Sequence, residues 1–387
     1  MAMEVKLLQP VKVVCTDDLG ETLVDIMQTA GYSRPLMVTD SFVGSMPLVV
    51  AARTKLEQVG VDVAVFDQVK PDPLCETVES GVEAFEAHKA DSIIAIGGGS
   101  SMDVARGINI VRVNGGSIIE YTDPAKPIAP CNGMIAVPTT AGTGSEMSNA
   151  LVVTEGSTGR KLAVLADSAV SEYAVLNADL MLTLPAKMTI ACGLDAFCHA
   201  AEGYLSRMAS PVTDAICEKA MFLLYNYLPR AVANGQDREA RERVMVASTL
   251  AGWMLNNAGT IAGHSIAHVL GAKYHIVHGE AVGYALPAVM EFVAPVRAHK
   301  VREIGQILGA VYPENAPDEQ VAIIASRAFK DFRDRMLGLH PVEDYGISVE
   351  ELVSNAQAVV DERFAGNTPR DIDLQAAEQL LEGFGSR

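Results

Sequence analysis

The chain has 387 residues, 49% of them hydrophobic, which is enough to fill large cores and excludes a disordered protein. Its formal net charge of −18 argues against nucleic acid or an anionic membrane surface as partner, because phosphate binding needs clustered lysine and arginine. No apolar run reaches the roughly 18–20 residues of a membrane span.

At about 150 residues per domain, this length suggests two or three domains. In chain order, VKVVC (11–15), PLMVTD (35–40), VDVAVFD (61–67), DSIIAIGGG (91–99) and MIAVPTT (134–140) are short β-branched runs and predict strands. Amphipathic stretches such as ETLVDIMQTAG and CETVESGVEAFEAHKA lie between them. Strand and helix alternating at this spacing predict a parallel sheet covered by helices. Two further apolar runs, ALVVT and KLAVLA, predict an antiparallel extension of it.

After NADLMLTLPAKMT the pattern changes. Segments such as VTDAICEKAMFLLYNYLPRAVANG and REARERVMVASTLAGWMLNNAG follow helical spacing and close on Asn-Gly or Ala-Gly. The expected architecture is an α/β domain over residues 1–182 and an all-α domain over 183–387. The opening MAMEVKLLQPVKVVC lacks the charged head and long apolar core of a leader, so no signal peptide is expected. The six cysteines form no CxxC pair and read as reduced thiols of a cytoplasmic protein.

In the first half, Gly97, Gly98 and Gly99 follow a strand, and a helix is expected to begin near Ser100. Glycines allow a tight turn, and the helix's free N–H groups then face it, an arrangement suited to a pyrophosphate. The motif is not GxGxxG, and a plain tight loop would look the same. A second loop, VPTTAGTGSEMSN (137–149), places Thr139, Thr140 and Thr143 after a strand at the same end of the sheet. Two such loops favour a nucleotide, since open α/β sheets bind ligands at the carboxyl ends of their strands. Asp40 ends another strand. Its carboxylate either accepts the ribose hydroxyls of NAD and repels a 2′-phosphate, or caps the next helix. Lys161 is either a ribose or phosphate contact or a surface lysine.

The second half carries half of the eight histidines within GHSIAHVLGAKYHIVHG (263–279). His264 and His268 are four apart, as are Asp195 and His199 in GLDAFCHAAEG, so each pair shares a helix face. With His278, these residues make a divalent-metal set, because burying so many imidazoles beside a carboxylate is otherwise costly. Cys192 falls on the Asp195 face as a core residue. Glu202, three beyond His199, is either an acceptor behind the ligands or a solvated carboxylate.

GGGSSMD, PTTAGTGSE, GLDAFCHAAEG and HSIAHVLGAKYHIVHG, in this order, resemble the iron-containing (group III) alcohol dehydrogenase family. The resemblance runs through GNTPRD near the end of the sequence. It implies an N-terminal Rossmann-like α/β domain and an all-α C-terminal domain, the dehydroquinate synthase-like fold. It implies metal ligands at Asp195, His199, His264 and His278, and puts His268 beside the nicotinamide. NAD contacts are implied at Asp40, Gly97, Gly98, Gly99, Ser100, Asp103, Thr139, Thr140, Thr143 and Lys161. Asn149, Leu255, Ile261 and His275 are candidates for lining the substrate cleft.

Three residues depart from the family pattern: Asp72 where Asn is frequent, Cys192 where Thr or Asn is common, and Glu280 where a smaller residue is usual. The implied reaction is reversible hydride transfer between NADH and a small aldehyde or its alcohol, with Fe(II), or Zn(II), as Lewis acid. The implied assembly is a homodimer or a larger homo-oligomer. A zinc-dependent polyol dehydrogenase and a dehydroquinate synthase-like lyase are the alternatives. Few basic residues flank the motifs, which counts against the lyase and its phosphorylated substrate.

Overall fold

The computed structural model describes residues 6–386. The first five residues, part of the stretch read as leaderless, lie outside the described residues. The chain forms two compact units, one spanning Leu8–Leu182 and the other taking up the chain from Thr183.

The first unit runs β1 (Lys12–Cys15), α1 (Leu19–Ala30), β2 (Pro35–Val38), α2 (Ser41–Gly44), α3 (Pro47–Gln58), β3 (Ala64–Phe66), α4 (Cys75–His88), β4 (Ser92–Gly97), α5 (Gly99–Asn114), β5 (Met134–Pro138), β6 (Ala150–Thr154), β7 (Lys161–Leu165) and β8 (Tyr173–Leu176). Six strands form one sheet in the order β1-β8-β5-β4-β2-β3, with every pair parallel. In β4, Ile93 and Ala95 pack into one core with Val78 of α4 and Val104 of α5. Ile94 and Ile96 pack into another with Leu23 of α1 and Val49 of α3. Burial on both faces explains why β4 reads as an unbroken apolar run.

Two features differ from the sequence reading. β8 was not among the expected strands, yet it lies between β1 and β5 and joins them. The β6–β7 hairpin is antiparallel as expected, but it forms its own two-stranded sheet and does not extend the main one. α5 holds this hairpin through side chains: Asp103 accepts the Val152 N–H and Arg106 donates to the Ala150 carbonyl.

The second unit is helical, with α6 (Ala186–Leu205), α7 (Pro211–Ala233), α8 (Arg238–Asn257), α9 (Ala262–Tyr274), α10 (His278–Ile307) and α11 (Asp318–Lys330) as its main elements. α6 is buried all round from Gly193 to Leu205, as expected of a helix enclosed by others; it packs against α7, α8 and α10. Among the described residues no helix is long and apolar enough to cross a membrane.

Candidate active site

Asp195, His199 and Glu202 lie on one face of α6, two helical turns apart at the extremes. His264 sits in the first turn of α9 and His278 is the first residue of α10. The short link through Ile276 and Val277 turns the chain between these helices. His275 closes α9 in the left-handed conformation (φ 56°) and is exposed.

These elements converge on one atom. Asp195 Oδ1 lies 3.5 Å from His199 Nε2, 3.6 Å from His264 Nε2 and 3.4 Å from His278 Nε2. The first two distances exceed a good hydrogen bond, and all three match ligand spacing around one cation. Four bonds of about 2.1 Å in a tetrahedron put neighbouring ligand atoms about 3.4 Å apart. Asp195, His199 and His264 bring one ligand atom each within 4.8 Å of one another, and all three are buried. His278 reaches the same carboxylate but stands apart from this mutual cluster, with 43% of its side chain exposed.

Two atoms at this point have no hydrogen-bond partner although fully buried: Asp195 Oδ1 and His264 Nε2. A buried polar atom left unpaired is costly, and a cation would satisfy both. Glu202, wholly buried, settles the choice left open by the sequence. Its Oε1 accepts from His264 Nδ1 at 2.9 Å, and its Oε2 accepts the N–H groups of Ile261 (2.7 Å) and His264 (3.3 Å). It therefore caps α9 from another helix and turns the His264 Nε2 lone pair toward Asp195. Without a cation, burial alone would push the His264 imidazole toward neutrality, but Glu202 and Asp195 outweigh it and hold a second proton, on Nε2, up to about 10; a bound cation would displace that proton and take the lone pair. Burial likewise opposes ionisation of Asp195, yet His199, His278 and His264 keep its carboxyl well below the usual range. The Cys192 thiol is pushed up to about 12, by burial first and Asp195 second, so it stays a neutral core group.

His268 lies next to the cluster. Its ring is nearly parallel to that of His278, with centroids 5.5 Å apart, and its Nδ1 is 3.0 Å from Glu362 Oε1. Glu362 also accepts from Ser265 Oγ (2.7 Å) and Phe364 N (2.8 Å), so the carboxylate that orients His268 is itself fixed. Glu362 escaped the sequence reading because it lies 94 residues away with no periodic relation to His268.

In the α/β unit, Asp40, the glycine turn and the threonine loop follow three neighbouring parallel strands, β2, β4 and β5, at their carboxyl ends. Gly98 caps α5, placing Gly99 and Ser100 in its first turn. The two loops touch. A Cβ on Gly98 would meet Thr140 Oγ1 at 3.3 Å, and one on Gly99 would meet Thr143 Cγ2 at 3.0 Å. Thr139 N donates to the Gly97 carbonyl at 2.9 Å. This bare backbone cradle at a helix N-terminus suits a pyrophosphate.

Asp40 does cap α2, its Oδ1 accepting from Phe42 N and Val43 N at 2.9 Å each. Oδ2 takes no part in that cap. Lys161 is exposed and paired with Asp72 Oδ1 at 2.6 Å. Of the substrate candidates, Asn149 donates to Asp167 Oδ1 at 2.5 Å, Leu255 is half-buried and Ile261 is wholly buried. Arg106, absent from the sequence reading, is fully buried. It donates to the carbonyls of Ser145, Ala150 and Ala169, bracing the far end of the threonine loop.

Asp103 lies beside Arg106, at 3.9 Å. Burial raises its carboxyl to about 7, with Arg106 and the Val152 N–H offsetting only part. The folded state thus holds a proton that the unfolded chain releases near pH 4, so stability falls as pH rises from about 4 to 7. Asp103→Asn is expected to match the natural chain near pH 4 and to exceed it by roughly 1–3 kcal/mol at pH 8. Urea unfolding at both pH values checks this, and an equal difference at both would assign the titration elsewhere.

A sheet with a nucleotide-type cradle and a helical unit with a carboxylate–imidazole cluster define a protein that uses both a dinucleotide and a metal. Family models agree. Iron-containing alcohol dehydrogenase matches residues 10–178, and the C-terminal part of the Fe-containing alcohol dehydrogenase family matches 189–384. The chain belongs to the iron-containing alcohol dehydrogenase family. It is 34% identical over 362 residues to the NAD-dependent methanol dehydrogenase of Bacillus methanolicus, covering 92% of this chain and 93% of that one. The lactaldehyde reductase of Escherichia coli K12 is 32% identical over 364 residues, covering 92% and 94%. The crystal structure of a 1,3-propanediol oxidoreductase superposes with a TM-score of 0.91 at 29% identity, covering 99% of this chain and 100% of that one.

Proposed function

We propose that this chain is an NAD(H)-linked, metal-dependent alcohol dehydrogenase that interconverts a small aldehyde, polar members included, and its alcohol. The observation that carries the reading is the set of three imidazole nitrogens 3.4–3.6 Å from one buried Asp195 oxygen. The methanol, lactaldehyde and 1,3-propanediol enzymes it resembles support a short-chain substrate.

In this reading residues 1–182 bind NAD and residues 183–387 hold the metal and carry the catalysis. Asp195, His199, His264 and His278 hold a divalent cation, Fe(II) or Zn(II), since imidazole and carboxylate serve both. When bound, the cation supplies Lewis acidity to a carbonyl oxygen and NADH supplies the hydride. The chain's own residues do the rest. Glu202 keeps the His264 lone pair aimed, and the Gly97–Ser100 turn with Thr139, Thr140 and Thr143 cradles the pyrophosphate. Asp40 faces the adenosine ribose, with Asp103 and Lys161 as flanking contacts. Glu362 holds His268 by Nδ1, and His268 passes a proton to the product oxygen at Nε2. Asn149, Leu255, Ile261 and His275 are the candidate substrate contacts. The six cysteines are all free thiols, which fits a cytoplasmic protein. We read the assembly as a homodimer or larger, which light scattering would measure.

The test is NADH oxidation with a panel of short aldehydes, run anaerobically on one preparation split into apo, Fe(II)-loaded and Zn(II)-loaded samples. Turnover with a metal and none without is the expected result, and the preferred metal separates the iron-dependent reductase from a zinc-dependent polyol dehydrogenase. Intact NADH binding with no turnover under any metal would overturn the dehydrogenase reading and favour the synthase-like lyase.

A further inference from the structure

Glu280 is a carboxylate almost completely buried (3% exposed) two residues after His278. Two groups converge on its carboxylate. Tyr345 Oη donates to Glu280 Oε2 at 2.6 Å, and His340 Nε2 lies 2.8 Å from the same oxygen. Tyr345 Oη also accepts the N–H of Val277, at 3.3 Å. One phenol thus joins the residue just before His278 to the carboxylate just after it. One turn further along α10, Tyr284 Oη donates to the His340 carbonyl at 2.7 Å, tying the same helix to the same segment a second time.

The ligand between these ties is the one that most needs them. The His278 side chain is 43% exposed, against 6% for His199 and 3% for His264. His264 has Glu202 behind it. Among the described residues the His278 ring makes no hydrogen bond that would orient it in the same way. Metal-binding imidazoles are ordinarily held by an acceptor on their second nitrogen. We propose that Glu280, Tyr345 and His340 form a clasp that holds His278 in position by gripping the chain on either side of it, at the Val277 N–H and at the Glu280 carboxylate. They are positioning residues that touch neither substrate nor metal. This rests on the reading of His278 as a metal ligand.

The experiment measures Co(II) affinity of the metal-free full chain against a competing chelator, with the visible absorption of bound Co(II) as a second readout. The proteins are the natural chain, Tyr345→Phe, His278→Ala and the double variant; Glu280→Gln serves if Tyr345→Phe folds poorly. Tyr345→Phe is expected to weaken Co(II) binding about tenfold, within the range for groups behind metal ligands. In the His278→Ala background it is expected to change nothing further, because the ligand it positions is gone. The Co(II) spectrum of Tyr345→Phe shifts toward that of His278→Ala. Equal weakening in both backgrounds, or none in either, would overturn the clasp. If His278→Ala itself binds Co(II) as the natural chain does, the ligand reading of His278 fails first, which separates the two failures.

Discussion

Gly279→Ala is expected to cost about 3 kcal/mol or more of stability and to loosen the metal centre at the same time. A Cβ at this position would stand 1.9 Å from the Ala191 carbonyl oxygen and 2.6 Å from its carbon. The obstacle is backbone, so no side chain can swing away, and α10 must retreat from α6. α6 carries Asp195 and α10 begins with His278, so the retreat separates two groups now 3.4 Å apart. Urea unfolding of the metal-free protein reads the first effect, and Co(II) or Zn(II) competition reads the second. An alanine variant with unchanged metal-free stability would show that the helices tolerate a wider spacing than the structure has.

Glu202→Gln is expected to lower metal affinity by about 10- to 100-fold and stability by about 2–3 kcal/mol. The natural carboxylate serves three buried N–H donors, His264 Nδ1, Ile261 N and His264 N. An amide of the same shape turns one acceptor into a donor, so at least one of these N–H groups faces another N–H. If the amide oxygen keeps the ring, α9 loses the cap at its start. If it keeps the cap, the His264 tautomer is no longer held with its lone pair toward Asp195. Metal titration and thermal unfolding of the Gln variant distinguish these outcomes from the natural chain. Unchanged affinity would mean that the His264 ring is held by packing alone.

Both predictions concern groups that stand behind the proposed ligands. Glu202, Glu362 and Glu280 are three buried or half-buried carboxylates, and each organises a different histidine region. Their burial is supported by the number of donors each receives, since a buried carboxylate is tolerated only when it is well paired.

Local order was legible in the sequence because it depends on neighbours within one turn or one strand. The apolar run IIAI announced a strand, and the four-residue spacings Asp195–His199 and His264–His268 announced shared helix faces. The glycine turn after a strand and before a helix was equally a local pattern. Glu202 was visible as a candidate, but only packing decided between solvent and His264. The rest depended on tertiary structure. β8 is four residues with no alternation to mark it, and its place between β1 and β5 follows from the sheet, not from its own composition. Glu362 meets His268 across 94 residues, and Glu280 meets His340 and Tyr345 across 60 and 65. No periodicity links such positions, because hydrophobic spacing records which face of an element is buried and not which distant element covers it. The residue types able to bind a metal were therefore written locally, while the carboxylates that aim and hold them were chosen by the packing of helices distant in sequence.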